Sequence, residues 1–386
     1  MNILMALSQL EVTGAEVYGV TLSDELIRRG NNVIIVSDTL TKESKAKYIK
    51  LEFNKRGLGE RINQVKTLLK IIKENDIHYI PFSSIVKQNS SKLKKYLQYI
   101  PVTLFVRKYL KKNNYDKIIF LQTHTAIACK DILLKKYFRK YLIDIRDFTL
   151  ENYEWFRKIE KLVIQSSFCT VISSRGYERF LPKYQYTIAH NYTPVNQKMK
   201  EKILNKEHQN DCINISFIGY VRFYEMAKKL LLMFANDPRF HISYIGTGAN
   251  ILEEFCSSNK IKNVTLHDRF SPEETAKFYY NCDLINNLYG NHNNYLDFAL
   301  SNKLYYAAEL NIPVLVSKDT YSSQIAEKYN LGISWDPDEE DAVNKLYKKI
   351  CLFDINKMKD MSTKFIKEVI QENKNFENKI EEFLKN

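Results

Sequence analysis

Apolar residues in this chain fall in two rhythms. Short blocks of Ile, Val, Leu and Phe alternate with longer stretches in which apolar positions recur three and four residues apart. The first rhythm predicts strands buried on both faces, the second amphipathic helices, and their alternation predicts parallel sheets joined by crossover helices. In the first half, strands are expected near Ile3 to Leu7, Val33 to Ser37, Ile77 to Phe82, Ile118 to Gln122, Leu142 to Ile145, Cys169 to Ser173 and Thr187 to Ala189. Residues 16–29 predict the first helix, with Tyr18, Leu22 and Leu26 on one face and Arg28, Arg29 and Gly30 closing it. The second half restarts the pattern at Ile213 to Ile218, His241 to Ile245, Val264 to His267, Leu284 to Leu288 and Pro313 to Val316.

Two runs of one pattern in 386 residues predict two doubly wound, Rossmann-like α/β domains. The polar stretch Gln197 to Asp211, preceded by Pro194, reads as the linker between them. The expected boundaries are 1–195 for the first domain and 211–360 for the second. A charged helical tail at 361–386 is left to cap the second domain or cross back to the first.

Composition narrows the class. The chain is 45% hydrophobic, yet no run approaches the roughly 18 apolar residues of a membrane span. Its start lacks the basic leader and cleavage site of a secretory signal, so the expected location is cytoplasmic. The six cysteines lie far apart without a Cys-x-x-Cys pair, which speaks against a disulfide framework or a zinc site. Charge is divided unevenly. Residues 1–200 hold 35 Lys and Arg against 18 Asp and Glu, a balance of +17, and the rest of the chain balances at −4. A basic first half suits an anionic partner: nucleic acid, an acidic membrane or a phosphorylated acceptor. It also suits plain solvation by lysine. Within it, Ser91 to Lys112 interleaves Lys92, Lys94, Lys95, Arg107, Lys108, Lys111 and Lys112 with Tyr96, Tyr99, Phe105 and Tyr109, a pattern for lipid or base stacking.

Several residues could carry chemistry. Gly14 stands at the entrance of the first helix, where free backbone N–H groups can face a phosphate, with Glu16 in the first turn. The run FIGYVRFYEMAKKLL ends a strand at Gly219 and places Arg222 and Lys228 at the next helix. A guanidinium fork matches two phosphate oxygens, and a cation at a helix start is disfavoured unless something negative arrives. His124 follows a strand end, where open α/β sheets present ligands, as do Asp144, Arg146 and Asp147. Asp144 and Arg146 also suit a structural ion pair, and Asp147 or Glu151 would serve as base if the reaction required one. Asp336-Pro337-Asp338 spells a metal-binding Asp-x-Asp but reads as a helix cap, so no metal is expected.

In order and spacing these motifs resemble the GT-B glycosyltransferases, in particular the large retaining family four and its bacterial capsule and lipopolysaccharide relatives. Gly14-Ala15-Glu16 resembles their first glycine loop, and Gly219, Arg222 and Lys228 their donor-phosphate stretch. Gly246 and Gly248 resemble their strand-end glycines, Val264 to Phe270 their nucleobase-facing segment, and Ser301 to Ser317 their signature helix and strand. The resemblance implies two Rossmann-like domains facing a central cleft, His124 in the catalytic cleft, and Arg222 and Lys303 on the donor diphosphate. It implies donor contacts at Phe270, Asn302 and Tyr306. The donor would be a nucleotide-diphosphate sugar, expected to be a UDP-sugar, with no further cofactor. The acceptor would be a saccharide, lipid-linked, on the way to a surface polysaccharide, with the first domain against an anionic membrane and no nucleic acid bound. One departure stands out: the family's two donor glutamates fall on Ala299 and Tyr306. Sugar contacts are then expected from the polar loop Tyr289 to Asp297.

Overall fold

The computed structural model describes residues 2–6, 32–37, 78–81, 103–121, 123–205, 212–270 and 274–385. Gly14, Glu16, the helix expected at 16–29 and the basic residues at 92–95 lie outside them. The chain divides into two compact units, Met1–Ala189 with Lys374–Asn386, and His190–Asn373.

The first unit is built on a seven-stranded parallel sheet. Its strands are β1 (Asn2–Ala6), β2 (Asn32–Ser37), β3 (His78–Pro81), β4 (Lys117–Phe120), β5 (Tyr141–Ile145), β6 (Cys169–Ile172) and β7 (Thr187–Ile188). Their order is β3-β2-β1-β4-β5-β6-β7, with Ile3 opposite Val33 on one side and Lys117 on the other. β4, β5 and β6 are buried along their whole length, as helices on both faces of a sheet require.

The second unit holds a six-stranded parallel sheet: β8 (Ile213–Ile218), β9 (Phe240–Ile245), β10 (Val264–His267), β11 (Leu284–Asn287), β12 (Val314–Ser317) and β13 (Gly332–Trp335). The order β10-β9-β8-β11-β12-β13 reverses direction between β8 and β11. Consecutive strand residues serve opposite faces. Phe217 and Leu315 join a core with Leu230, Phe234 and Trp335, while Ile218, Val314 and Val316 join another with Leu304, Tyr305 and Phe365. Two doubly wound α/β units are therefore present, as the alternating pattern predicts.

Three elements differ from expectation. β13 has no counterpart in the sequence reading, because Gly332 opens it and glycine signals a turn; here a Cβ would meet the Val314 carbonyl oxygen at 1.9 Å. The stretch read as a linker begins with a helix, Gln197–Leu204, capped by Asn196. That helix is pinned to the second unit: Lys200 reaches Glu309 at 2.5 Å, and Tyr192 donates to the same buried carboxylate. The charged tail is one helix, Ile355–Lys385, that starts earlier than predicted. Met358, Phe365 and Val369 form its buried stripe, and its residues from Lys374 onward cluster with the first unit, where Phe383 lies against Phe168 and Lys117.

Candidate functional site

All strands of the second sheet are parallel, so the C-terminal ends of β8 to β12 share one edge. The reversal between β8 and β11 opens a crevice at that edge, the place where open α/β sheets bind ligands. Two helices start there, Tyr224–Met233 after β8 and Asn302–Leu310 between β11 and β12. Each crossover helix runs back along the sheet, which puts its positive, N–H-bearing end at the crevice. Ser301 caps the second of them, accepting from the Lys303 N–H at 3.3 Å.

Lys303 is the central side chain. It is only 6% exposed, it stands in the first turn of a helix, and among the described residues it has no carboxylate partner. Both placements disfavour a cation. Its ammonium instead lies 3.9 Å from the Phe217 ring centroid and 4.9 Å from that of Tyr289, and donates to Tyr289 Oη at 2.6 Å. An ammonium has three N–H donors, so one hydroxyl leaves capacity unspent. Phe217 and Tyr289 pack edge to face, and Phe223 adds a third ring 5.1 Å from Tyr289. Arg222, exposed and free of ion pairs among the described residues, lies with its Cζ 5.1 Å from Phe223. Arg222 and Lys303, distant in sequence, thus flank one aromatic cluster.

The other sequence candidates in this unit take varied places. Lys228 pairs with Glu225 on its own helix at 3.3 Å and covers Phe255. Gly246 ends β9 at φ +134°, donates to the His267 carbonyl, and lies so close to Gly219 that a Cβ would come within 2.0 Å of the Gly219 oxygen. Gly248 donates to Asp268 at 3.1 Å. Phe270 packs on Phe278, and Asn302 is the exposed first residue of its helix. Tyr306 is half-buried with its ring stacked on Tyr279, so one face is committed to the core. Glu309 is held by Tyr192 and Lys200, as befits a structural anchor. In Asp336-Pro337-Asp338, Asp336 accepts from the Asp338 N–H at 2.9 Å and Asp338 pairs with Lys229, a folded turn rather than a ligand set. Among the described residues no group of three acidic, His or Cys side chains could hold a metal.

Sequence reasoning missed two parts of this site. One is the aromatic seat of Lys303, which needs Phe217 on β8 and Tyr289 after β11 to meet in space. The other is Asp297, whose Oδ1 is buried with no hydrogen-bond partner among the described residues and whose pKa is raised by burial. It closes the polar loop expected to contact sugar. There, Gly290 donates to Ser317 Oγ and Asn291 to the Lys318 carbonyl, both at 3.1 Å, tying the loop to the end of β12.

In the first unit, His124 is the second residue of a short helix, Thr123–Ala128, just beyond β4. Burial pulls its pKa down to about 4, so it is neutral at physiological pH. Between pH 6.5 and 4 the unfolded chain then binds a proton that the native state refuses, and stability falls as pH falls through that window. Relative to His124→Gln, the wild type is expected to lose about 2 to 3 kcal/mol more between pH 7 and 4, measured by urea unfolding at each pH. Asp144 and Arg146 form the expected ion pair, bidentate at 2.7 and 2.8 Å, and Arg146 also donates to the Ala189 carbonyl at 3.0 Å. Asp147 is exposed at the end of the same strand. Glu151 is buried, accepting from Thr149 N and Oγ1, and burial raises its pKa. Its neighbour Glu160 is pushed up to about 9, by burial first and then by the charge of Glu151.

The basic segment 103–112 is helical, and Arg107 within it is spent on a bidentate pair with Asp131 and on the Ala128 carbonyl. That cation braces the unit and is not left for lipid or bases.

No protein-family model matches the chain, and no curated protein sequence matches it. Solved structures do match, over almost its full length. HepE from Anabaena, crystallised with UDP, superposes with a TM-score of 0.65 at 11% identity over 99% of this chain and 100% of that one. A glycosyltransferase from Rickettsia africae gives 0.62 at 13% identity over 100% and 99%. The lipopolysaccharide outer core galactosyltransferase WaaB gives 0.62 at 12% identity over 98% and 99%. The chain has the GT-B fold of these enzymes.

Proposed function

We propose that this protein is a glycosyltransferase that takes a sugar from a UDP-sugar and passes it to a saccharide acceptor. The observation that carries this reading is Lys303, a buried cation with no acid beside it among the described residues, at a helix N-terminus that already bears positive charge. Such a group is stable in that place when an anion completes it. A nucleotide diphosphate supplies that anion, and the fold supplies the crevice. HepE carries UDP in its crystal structure and, in another, UDP-glucose, which supports the choice of donor.

In this reading the bond from the anomeric carbon to the diphosphate oxygen breaks, and charge gathers on the leaving diphosphate. Lys303, Arg222 and the two helix N-termini stabilise that charge with groups fixed before the reaction begins. The acceptor oxygen bonds to the anomeric carbon and its proton is released. Asp297, with one oxygen unpartnered among the described residues, is suited to accept from a donor-sugar hydroxyl, in place of the glutamates that Ala299 and Tyr306 have displaced. Transfer with retention, without a resident metal, onto a lipid-linked precursor of a surface polysaccharide at the inner face of the cell membrane completes the proposal. Among the described residues no helix is long and apolar enough to cross a membrane.

A panel of nucleotide sugars tests the donor by thermal shift. At 100 times its dissociation constant the right donor stabilises by about 2.7 kcal/mol, and a flat panel sinks the reading. Arg222→Ala is expected to weaken UDP binding about tenfold in calorimetry without lowering the melting temperature of the free protein, because an exposed guanidinium with no ion pair among the described residues contributes little to folding.

A further inference from the structure

Strand β11 reads Leu284-Ile285-Asn286-Asn287 and is buried along its whole length. Two asparagines at the end of a buried strand run against the apolar requirement that helices on both faces impose. They stand where the sheet opens. Pairing between β8 and β11 ends at Ser216 and Ile285, while β11 stays paired with β12 as far as Asn287 and Val316. Asn286 and Asn287 therefore border the crevice where β8 and β11 part.

The two amides fare differently. Asn286, 1% exposed, accepts from the Leu288 N–H at 2.9 Å. Asn287 is 4% exposed, and its Oδ1 is buried with no hydrogen-bond partner among the described residues. Side chains alternate along a strand, so Asn287 shares the face of Ile285, which joins the core of Leu304 from the helix Asn302–Leu310. A buried acceptor without a donor is costly, and at the mouth of a ligand crevice it points to a donor group on the ligand. Diphosphate oxygens bring no hydrogen to it, whereas sugar hydroxyls do. The loop that follows Asn287 leads to Asp297, whose Oδ1 is likewise buried with no partner among the described residues. That connection thus holds two unspent acceptors, and Lys303, just beyond it, holds the cation. A sugar diphosphate has the matching polarity, with hydroxyls at one end and an anion at the other.

We infer that Asn287 is a specificity-determining residue whose Oδ1 accepts from a hydroxyl of the transferred sugar, and that with Asp297 it selects a neutral hexose over a uronic acid. A sugar carboxylate brings no proton to either oxygen and meets the like charge of Asp297. The inference rests on the second unit binding a nucleotide sugar.

Calorimetry on the full-length protein compares UDP, UDP-glucose, UDP-galactose, UDP-glucuronic acid and UDP-galacturonic acid. The better neutral donor is expected to bind at least about tenfold tighter than its uronic counterpart. Asp297→Asn removes the like charge and should narrow that gap to about threefold or less. Asn287→Leu, close in volume, should weaken the neutral donor about tenfold and leave UDP unchanged. It should also raise the melting temperature of the free protein by about 2 to 4 °C, because an apolar group replaces an amide with an unmatched oxygen. A structural role for the amide gives the opposite sign. The inference is overturned if neutral and uronic donors bind alike, if Asn287→Leu weakens UDP as much as the UDP-hexose, or if that variant melts below the wild type. The comparison of donors on the wild type decides even where a variant does not fold. If UDP and all four UDP-sugars fail to bind, the donor reading falls and the inference with it; if UDP binds and the sugars are not distinguished, the inference alone falls.

Discussion

Replacing Lys303 with methionine is expected to reduce sugar transfer by roughly a hundred- to a thousandfold while leaving the melting temperature unchanged or higher. The two halves of that expectation have separate causes. The ammonium is buried against Phe217 and Tyr289, so its desolvation is costly, and the two rings and the Tyr289 hydroxyl offset it only in part. Methionine fills a similar volume without the charge, and folding loses nothing that it needed. Catalysis loses a fixed positive group where diphosphate charge develops. Transfer rates with saturating donor, measured beside a thermal melt, separate the outcomes. If turnover survives, Lys303 is not part of the clamp. If stability collapses together with turnover, the cation serves the fold and the donor reading loses its main support.

Gly246→Ala is expected to cost the second unit more than about 4 kcal/mol, among the largest effects available to a single methyl group here. The added Cβ would lie 2.0 Å from the Gly219 carbonyl oxygen and 2.7 Å from its carbon, and backbone atoms cannot swing aside as a side chain does. The residue is also held at φ +134°, which L-amino acids rarely adopt. Gly219→Ala supplies the control, because it shares that φ and yet a Cβ there meets nothing within 4 Å. It should show backbone strain alone, about 1 to 2 kcal/mol. Urea unfolding followed by Trp335 emission in a Trp155→Phe background reads the second unit specifically, since Trp335 lies in that unit's core. Equal losses for the two variants would show that the close approach of β8 and β9 is not what demands a glycine.

Much of the scaffold was legible without coordinates. The apolar residues of β8, β9, β11 and β12 enter cores on both faces of the sheet because helices cover both faces, and that requirement is written into their composition. Arg222 stood out because local pattern places it between a strand end and a helix start, and Lys303 only because the order of motifs resembles a known fold. β13 was not legible, because the demand on Gly332 comes from the Val314 carbonyl oxygen of a neighbouring strand and not from its own turn chemistry. The helix at Gln197–Leu204 was missed for a similar reason, since its polar surface reads as linker until Glu309 is placed opposite Lys200 and Tyr192.

The sequence by itself determined two doubly wound α/β units, the ends of most strands to within two residues, and that Arg222 stands between a strand end and a helix start. Those properties follow from the periodicity of side chains along a strand or helix, an interaction between near neighbours that a linear chain records directly. Only the tertiary structure decided that Lys303 is caged by Phe217 and Tyr289, that Asn287 and Asp297 each keep an oxygen unpartnered among the described residues, and that Arg107 is spent on Asp131. Each of these joins residues brought together by the packing of separate elements. Burial, desolvation and pairing depend on that packing, and they turn a charged or aromatic side chain from one of many into a site.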